Sequence, residues 1–248
     1  MIKSILEKIM FNRFIVSLYN YYKNTFSIDL QKNHLLDKVY SEVANETYNI
    51  FQKEIKNSVG FLTKLSQREH AIKECLSEFS SDDLFLECGV FQGNSINLFA
   101  KHLSTKNLHI YGFDSFKGFI EDWHGSHLQK GSFSTSGKKP KVLNNVTIIE
   151  GYIEETLENF LNEKKLKIKF LHLDMDLFSA TEKALIISKK YLKKGSIILM
   201  DDFANYPGFN NGPYLAFNQN FSKDDYEILS FGLYRSSSVL IKIIKDIN

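Results

Sequence analysis

Leu84-Phe-Leu-Glu-Cys-Gly-Val-Phe-Gln-Gly-Asn-Ser-Ile-Asn-Leu-Phe-Ala100 decides how the rest of the chain is read. An apolar run ends in an acid, Glu87. A tight segment bounded by Gly89 and Gly93 follows, and helical spacing begins at Ser95. This is the pattern of strand, turn and helix. Nucleotide-like cofactors bind at such junctions, where free backbone N–H groups and the helix dipole gather. A dinucleotide site asks for G-x-G-x-x-G, so that a pyrophosphate can approach bare backbone. Here bulky residues separate only two glycines, and an acid directly before the turn would repel a pyrophosphate. An acid suits a cofactor that carries an ammonium and a sulfonium, so the stretch favours S-adenosylmethionine over NAD. Taken alone, its spacing also fits any α/β turn.

Working outward, short apolar strands alternate with helical patterns. Strands are expected at residues 108–113, 146–149, 168–173 and 196–200, with helices at 95–103, 153–162 and 181–192. Alternation of this kind implies a parallel sheet covered on both faces. The end of the chain differs, because 226–231 and 237–243 flank a turn near Gly232 and read as a hairpin. The expected fold is therefore α/β: a doubly wound, mostly parallel seven-stranded sheet of Rossmann-like type with a terminal antiparallel hairpin and a helical N-terminal extension.

Residues 1–76 contain no proline and one glycine, Gly60, and should be mostly helical, with helices at 33–48 and 50–79. Ile2, Ile5, Leu6, Ile9, Met10, Phe14 and Leu18 recur at three- and four-residue steps with basic residues among them. That helix could lie on a membrane surface through residues 1–26. Packing on its own domain or on a second subunit is the favoured reading, because charges interrupt the apolar face and leave no transmembrane span. Charge recurring at Glu7, Lys8 and Arg13 argues against a signal peptide. The formal charge is +2, with 31 Lys and Arg against 29 Asp and Glu, so nothing demands nucleic acid. Cys75 and Cys88 have no metal-ligand spacing, and reduced thiols in a cytoplasmic protein are expected.

Each strand after the glycine turn delivers polar groups at its carboxyl end. Asp114, with Ser115, stands where an acid usually accepts hydrogen bonds from ribose hydroxyls; capping of the next segment is its alternative. Gly151 and Tyr152 could border an adenine ring. Asp174 ends the fourth strand, and Asp201 and Asp202 end the fifth. Neighbouring strands lie about 4.8 Å apart, so these carboxylates could converge. Acids that close need a cation, and a hard, oxygen-preferring ion such as Mg²⁺ or Mn²⁺ suits them. Helix capping is the alternative, and Asp176 before Ser179-Ala-Thr-Glu182 fits it well. For a general base the sequence offers His124 and His127 in the polar loop at 121–137, with His124 preferred, whereas His172 inside a strand reads as structural. Trp123, in a polar context, is a candidate stacking face.

Leu86-Glu-Cys-Gly-Val-Phe-Gln-Gly93, Tyr111-Gly-Phe-Asp-Ser-Phe-Lys-Gly118 with Glu121-Asp-Trp-His-Gly125, Phe170-Leu-His-Leu-Asp-Met-Asp-Leu-Phe178 and Gly195-Ser-Ile-Ile-Leu-Met-Asp-Asp-Phe203 together resemble the macrocin O-methyltransferase family, over about residues 84–221. The resemblance implies S-adenosylmethionine as methyl donor, a sugar hydroxyl as acceptor, and Mg²⁺ (or Mn²⁺) on Asp174, Asp201 and Asp202. The change from helical pattern to alternating strands and helices divides the chain into a helical extension or lid at 1–80 and a methyltransferase domain at 81–248. Asp174 then has a catalytic role and also borders the cofactor, with Glu87, Gly89, Gly93, Asn94, Ser95, Asp114, Ser115, Gly151 and Tyr152. A homodimer is expected from family habit and the spare apolar helix. A catechol or another small metabolite as acceptor, and a non-catalytic scaffold, are the rival readings. The segment at 205–214 and the helical extension depart from the family pattern and could border the acceptor.

Overall fold

The computed structural model describes residues 34–247, so the amphipathic segment at 1–26 lies outside the described residues. Two compact units are distinguished, 1–41 and 42–248. The first described helix, α1 (His34–Asn57), contains one non-helical residue, Phe51. Strand β1 (Val59–Phe61) and helix α2 (Lys64–Cys75) follow. The expected helix across 50–79 is therefore interrupted. Val59-Gly-Phe61 extends and pairs parallel with a C-terminal strand, and Thr63 caps the new helix by accepting a hydrogen bond from Ser66 N–H at 3.2 Å.

The remaining elements are β2 (Leu84–Cys88), α3 (Asn94–Ser104), β3 (Ile110–Asp114), β4 (Val146–Glu150), α4 (Ile153–Lys164), β5 (Ile168–Leu173), α5 (Phe178–Lys189), β6 (Leu192–Ala204), a short 3₁₀ turn (Phe209–Asn211), α6 (Pro213–Asn220), β7 (Tyr226–Gly232) and β8 (Ser237–Ile243). They form one sheet of order β1-β7-β8-β6-β5-β2-β3-β4. The seven expected strands are present, and β1 adds an eighth at the edge. Strands β4, β3, β2, β5 and β6 run parallel, while β8 is antiparallel to both β6 and β7. The mostly parallel methyltransferase-like sheet with its terminal hairpin is thus as the sequence indicated. Residues 42–80 share a compact unit with the sheet, to which β1 contributes a strand.

Strands β2 and β5 are buried along their whole length, as the central strands of a sheet covered on both faces must be. Ile72, Phe85, Ile96, Phe99, Phe170 and Leu199 are fully buried in the core between the helices and the sheet. Both cysteines are buried and unpaired, and burial pushes their thiols well above their usual range. Strand β6 runs past the apolar residues that announced it, because its ladder with β8 continues to Ala204 opposite Ser237. The register shifts between Met200 and Ala204, and Asp202 takes a left-handed φ of 50°. Asp201 and Asp202 therefore lie within the strand, at an irregularity that sets their directions.

Candidate active site

The carboxyl ends of β2, β3, β4 and β5 border a cavity of about 520 Å³, well within the range of a small-molecule site. Its wall contains Gly89, Asn94, Ser95, Asp114, Ser115, Gly151, Tyr152, Asp174 and Asp202 from the residues expected by sequence. Adjoining backbones are tied together here. Gly89 N–H donates to Phe113 O at 2.9 Å, Asp174 N–H to Cys88 O at 2.9 Å and Gly151 N–H to Asp114 O at 3.1 Å. Gly89 has φ of 90°, and a Cβ there would stand 2.0 Å from the Asp174 carbonyl oxygen. Only glycine permits this approach of turn to strand.

Asp114 supports the turn directly. Its Oδ2 accepts from Val90 and Phe91 N–H, each at 2.8 Å, and its Oδ1 accepts from Phe116 N–H at 2.7 Å. The capping alternative is therefore realised in the structure. Oδ1, with one bond, retains acceptor capacity, so a role toward a ribose is compatible with it. Asp114→Ala is expected to weaken S-adenosylhomocysteine binding about tenfold or more by calorimetry, because both the turn and the acceptor are lost. Unchanged affinity would remove Asp114 from the cofactor site.

Four sequence-chosen residues are not in the cavity wall. Glu87 is fully buried beneath it, accepting from Ser95 Oγ at 3.0 Å and pairing with His172 Nδ1 at 2.9 Å. It braces the turn from below. Gly93 begins α3 with φ of 80°, where a Cβ would meet Pro140. Asp201 lies behind the wall, its Oδ1 accepting from Ser238 Oγ at 2.7 Å and facing His172 Nε2 at 3.7 Å. His124 is exposed on the loop and does not line the cavity, as is the case for His127. His172 is fully buried within β5, between Glu87 and Asp201. Burial opposes its charge, but Asp201 and Glu87 on its two sides lift its pKa to about 9.

Three participants were not recognised from sequence. Asp176 does not cap α5, whose cap position is Leu177 with no side-chain hydrogen bond. It adopts φ of 62°, and its carboxylate converges with those of Asp174 and Asp202 to within 4.8 Å. Arg68 reaches Asp174 Oδ2 at 2.8 Å and also bonds Asp201. Lys64, one helical turn earlier, lies 3.2 Å from Asp202 Oδ2 and 3.5 Å from Asp201 Oδ2. The electrostatics follow from this crowding. Removal from water and the neighbouring Asp201 raise Asp174 to about 7. Burial, Asp202 and Asp174 push Asp176 well above the usual carboxylate range. Burial acts on Asp201 in the same sense, yet Lys64, Arg68 and His172 hold it well below that range.

The donors Asp174, Asp176 and Asp202 are all carboxylate oxygens, so a hard divalent cation fits them by chemistry. A second group, His172, Asp174 and Asp201, is less suitable because His172 is already engaged with Glu87. Phe91, Phe119, Trp123 and Phe133 add an aromatic border to the cavity. Among them, Phe119 and Phe133 meet edge-on at 5.1 Å, and Trp123 abuts Tyr206 at 5.3 Å.

A parallel sheet of this order, with a glycine turn and strand-end acids around one cavity, is the arrangement of a methyltransferase-like fold. Residues 86–203 match the family model described as Methyltransferase domain. The methyltransferase resemblance read from the four motifs is thereby supported. The fold is similar to that of CalS11, calicheamicin methyltransferase, at 21% identity and a TM-score of 0.60, covering 80% of this chain and 91% of that one. A second structure of that protein, described as a TDP-rhamnose 3'-O-methyltransferase, gives 20% identity, coverage of 80% and 93%, and a TM-score of 0.53. The O-methyltransferase NovP is 14% identical over 73% of this chain and 80% of its own, with a TM-score of 0.56. A comparison with curated protein sequences finds no match. Among the described residues no helix is long and apolar enough to cross a membrane.

Proposed function

We propose that this chain is an O-methyltransferase acting on a sugar hydroxyl of a glycan, a sugar nucleotide or a glycosylated natural product, with Mg²⁺ or Mn²⁺ held by strand-end carboxylates. The observation that carries this reading is the meeting of Asp174, Asp176 and Asp202 in the wall of the cavity that also contains the Gly89 turn and Asp114. The sugar acceptor is supported by the description of CalS11 as a TDP-rhamnose methyltransferase and by the aromatic border, which offers a stacking face beside the acids.

S-adenosylmethionine supplies the methyl group from a sulfonium, and a divalent ion on Asp174, Asp176 and Asp202 would acidify an acceptor hydroxyl and fix its direction. The chain's own residues do the rest. The Gly89 turn and Asp114 hold the donor. Trp123 and Phe119, in the cavity's aromatic border, exclude water from it. The hydroxyl proton leaves to water as the new oxygen–carbon bond forms and the carbon–sulfur bond breaks. Holding the two reactants in line contributes about 7–11 kcal/mol to the lowering of the barrier.

Calorimetric titration with S-adenosylhomocysteine, with and without Mg²⁺ and with NAD as control, tests the donor. Methyl transfer to a panel of sugar nucleotides, catechols and simple glycosides, with and without chelator, tests the acceptor and the ion. Saturable S-adenosylhomocysteine binding and chelator-sensitive transfer to a sugar are expected. Transfer to a catechol alone would move the acceptor to a phenol, and undiminished transfer in chelator would remove the metal.

A further inference from the structure

Helix α2 places two cations in the space that a divalent ion would share. Lys64 and Arg68 are four residues apart, hence on one helical face. Arg68 joins Asp174 to Asp201, and Lys64 joins Asp201 to Asp202. Neither is a stray surface group. Both line the cavity, and the intervening Gln67 is fully buried and fixes the helix to the hairpin. Gln67 Nε2 donates to Ser230 Oγ at 3.0 Å and to Ser238 O at 3.1 Å, and its Oε1 accepts from Tyr234 OH at 2.6 Å. The backbone that carries Arg68 is pinned to the strand next to β6, which carries Asp201 and Asp202.

Four aspartates drawn together without positive charge would repel one another. With Arg68 and Lys64 among them, Asp174 and Asp202 are held in convergence before any ion arrives. The same arrangement sets an opposition, because Asp174 Oδ2 and Asp202 Oδ2 cannot serve a divalent cation fully while they serve a guanidinium and an ammonium. We propose that Arg68 and Lys64 are positioning residues that act as the resident counter-cations of the acid cluster, competing with Mg²⁺ or Mn²⁺ for the same carboxylate oxygens. The affinity of the metal is thus set by α2 as well as by the aspartates. This rests on the metal-dependent reading above.

The test is Mn²⁺ binding to the full-length chain, followed by the electron paramagnetic resonance signal of the free ion, in the parent, Arg68→Met, Lys64→Met and Lys245→Met. Lys245 pairs with Asp225 outside the cavity and controls for the loss of one positive charge. Arg68→Met should tighten Mn²⁺ binding about tenfold or more, Lys64→Met by a smaller factor, and Lys245→Met should have no effect. Without metal, Arg68→Met should melt below the parent, and Mn²⁺ should raise its melting temperature by more than it raises the parent's. Equal or weaker Mn²⁺ binding in Arg68→Met would overturn the competition while leaving the metal site intact. Should that variant not fold, Lys64→Met carries the same comparison, and unchanged affinity there overturns it equally. If neither the parent nor any variant binds Mn²⁺, the metal-dependent reading itself fails, and this inference with it.

Discussion

Asp176→Asn is expected to lower methyl transfer by about tenfold or more, and to weaken Mn²⁺ binding, while leaving S-adenosylhomocysteine affinity within about twofold. The substitution is nearly isosteric, and asparagine tolerates the left-handed backbone that Asp176 adopts at φ of 62°, so the loop should keep its course. What is lost is one carboxylate of the set that would hold the divalent ion. Metal affinity gives a second readout. Asp176 would share the ion with Asp174 and Asp202, so the asparagine variant should bind Mn²⁺ more weakly than the parent. Single-turnover transfer to the acceptor found in the sugar panel, together with Mn²⁺ titration, checks both points. Parental rates and parental Mn²⁺ affinity in Asp176→Asn would exclude it from the metal site.

The acids at the strand ends could be read in the sequence because each terminates an apolar run, and a parallel sheet delivers all such termini to one edge. Asp176 was misread for a comparable reason, since an acid just before a helix is the ordinary sign of a cap. Its positive φ, invisible in the sequence, leaves the cap position to Leu177 and places the carboxylate with Asp202. Strand β6 was drawn short because its last residues are acidic; pairing with β8, rather than apolar periodicity, extends it. Arg68 and Lys64 gave no local signal. Their partners lie 106 and 138 residues away, and a polar pair one turn apart on a helix normally faces solvent. His124 differs in the opposite way: its residue type suits the chemistry, but the structure leaves its side chain exposed and outside the cavity wall.

Asp174 and the cofactor turn form one mechanical unit, and Gly89 is where this becomes measurable. Residues Cys88 and Leu173 are in register on adjacent parallel strands, and Asp174 N–H donates to Cys88 O at 2.9 Å. The chain leaves β2 through Gly89 so close to β5 that a Cβ would lie 2.0 Å from the Asp174 carbonyl oxygen and 2.7 Å from its carbon. Both obstacles are backbone, so no side-chain rotation relieves them. Gly89→Ala should therefore displace the turn and the peptide bearing Asp174 together, abolishing S-adenosylhomocysteine binding and methyl transfer in one step. The left-handed φ alone costs about 1–2 kcal/mol for a residue with a Cβ, and the collision adds to it. Gly131→Ala separates the two contributions. Gly131 has a comparable φ of 86°, but a Cβ there meets nothing within 4 Å. It should lose about 1–2 kcal/mol of stability in denaturant titration and keep its cofactor affinity. If both variants bind S-adenosylhomocysteine like the parent, the close approach of turn and acid strand does not support the cofactor site; if only Gly89→Ala fails, the packing of Gly89 against Asp174 is what joins donor binding to the acids.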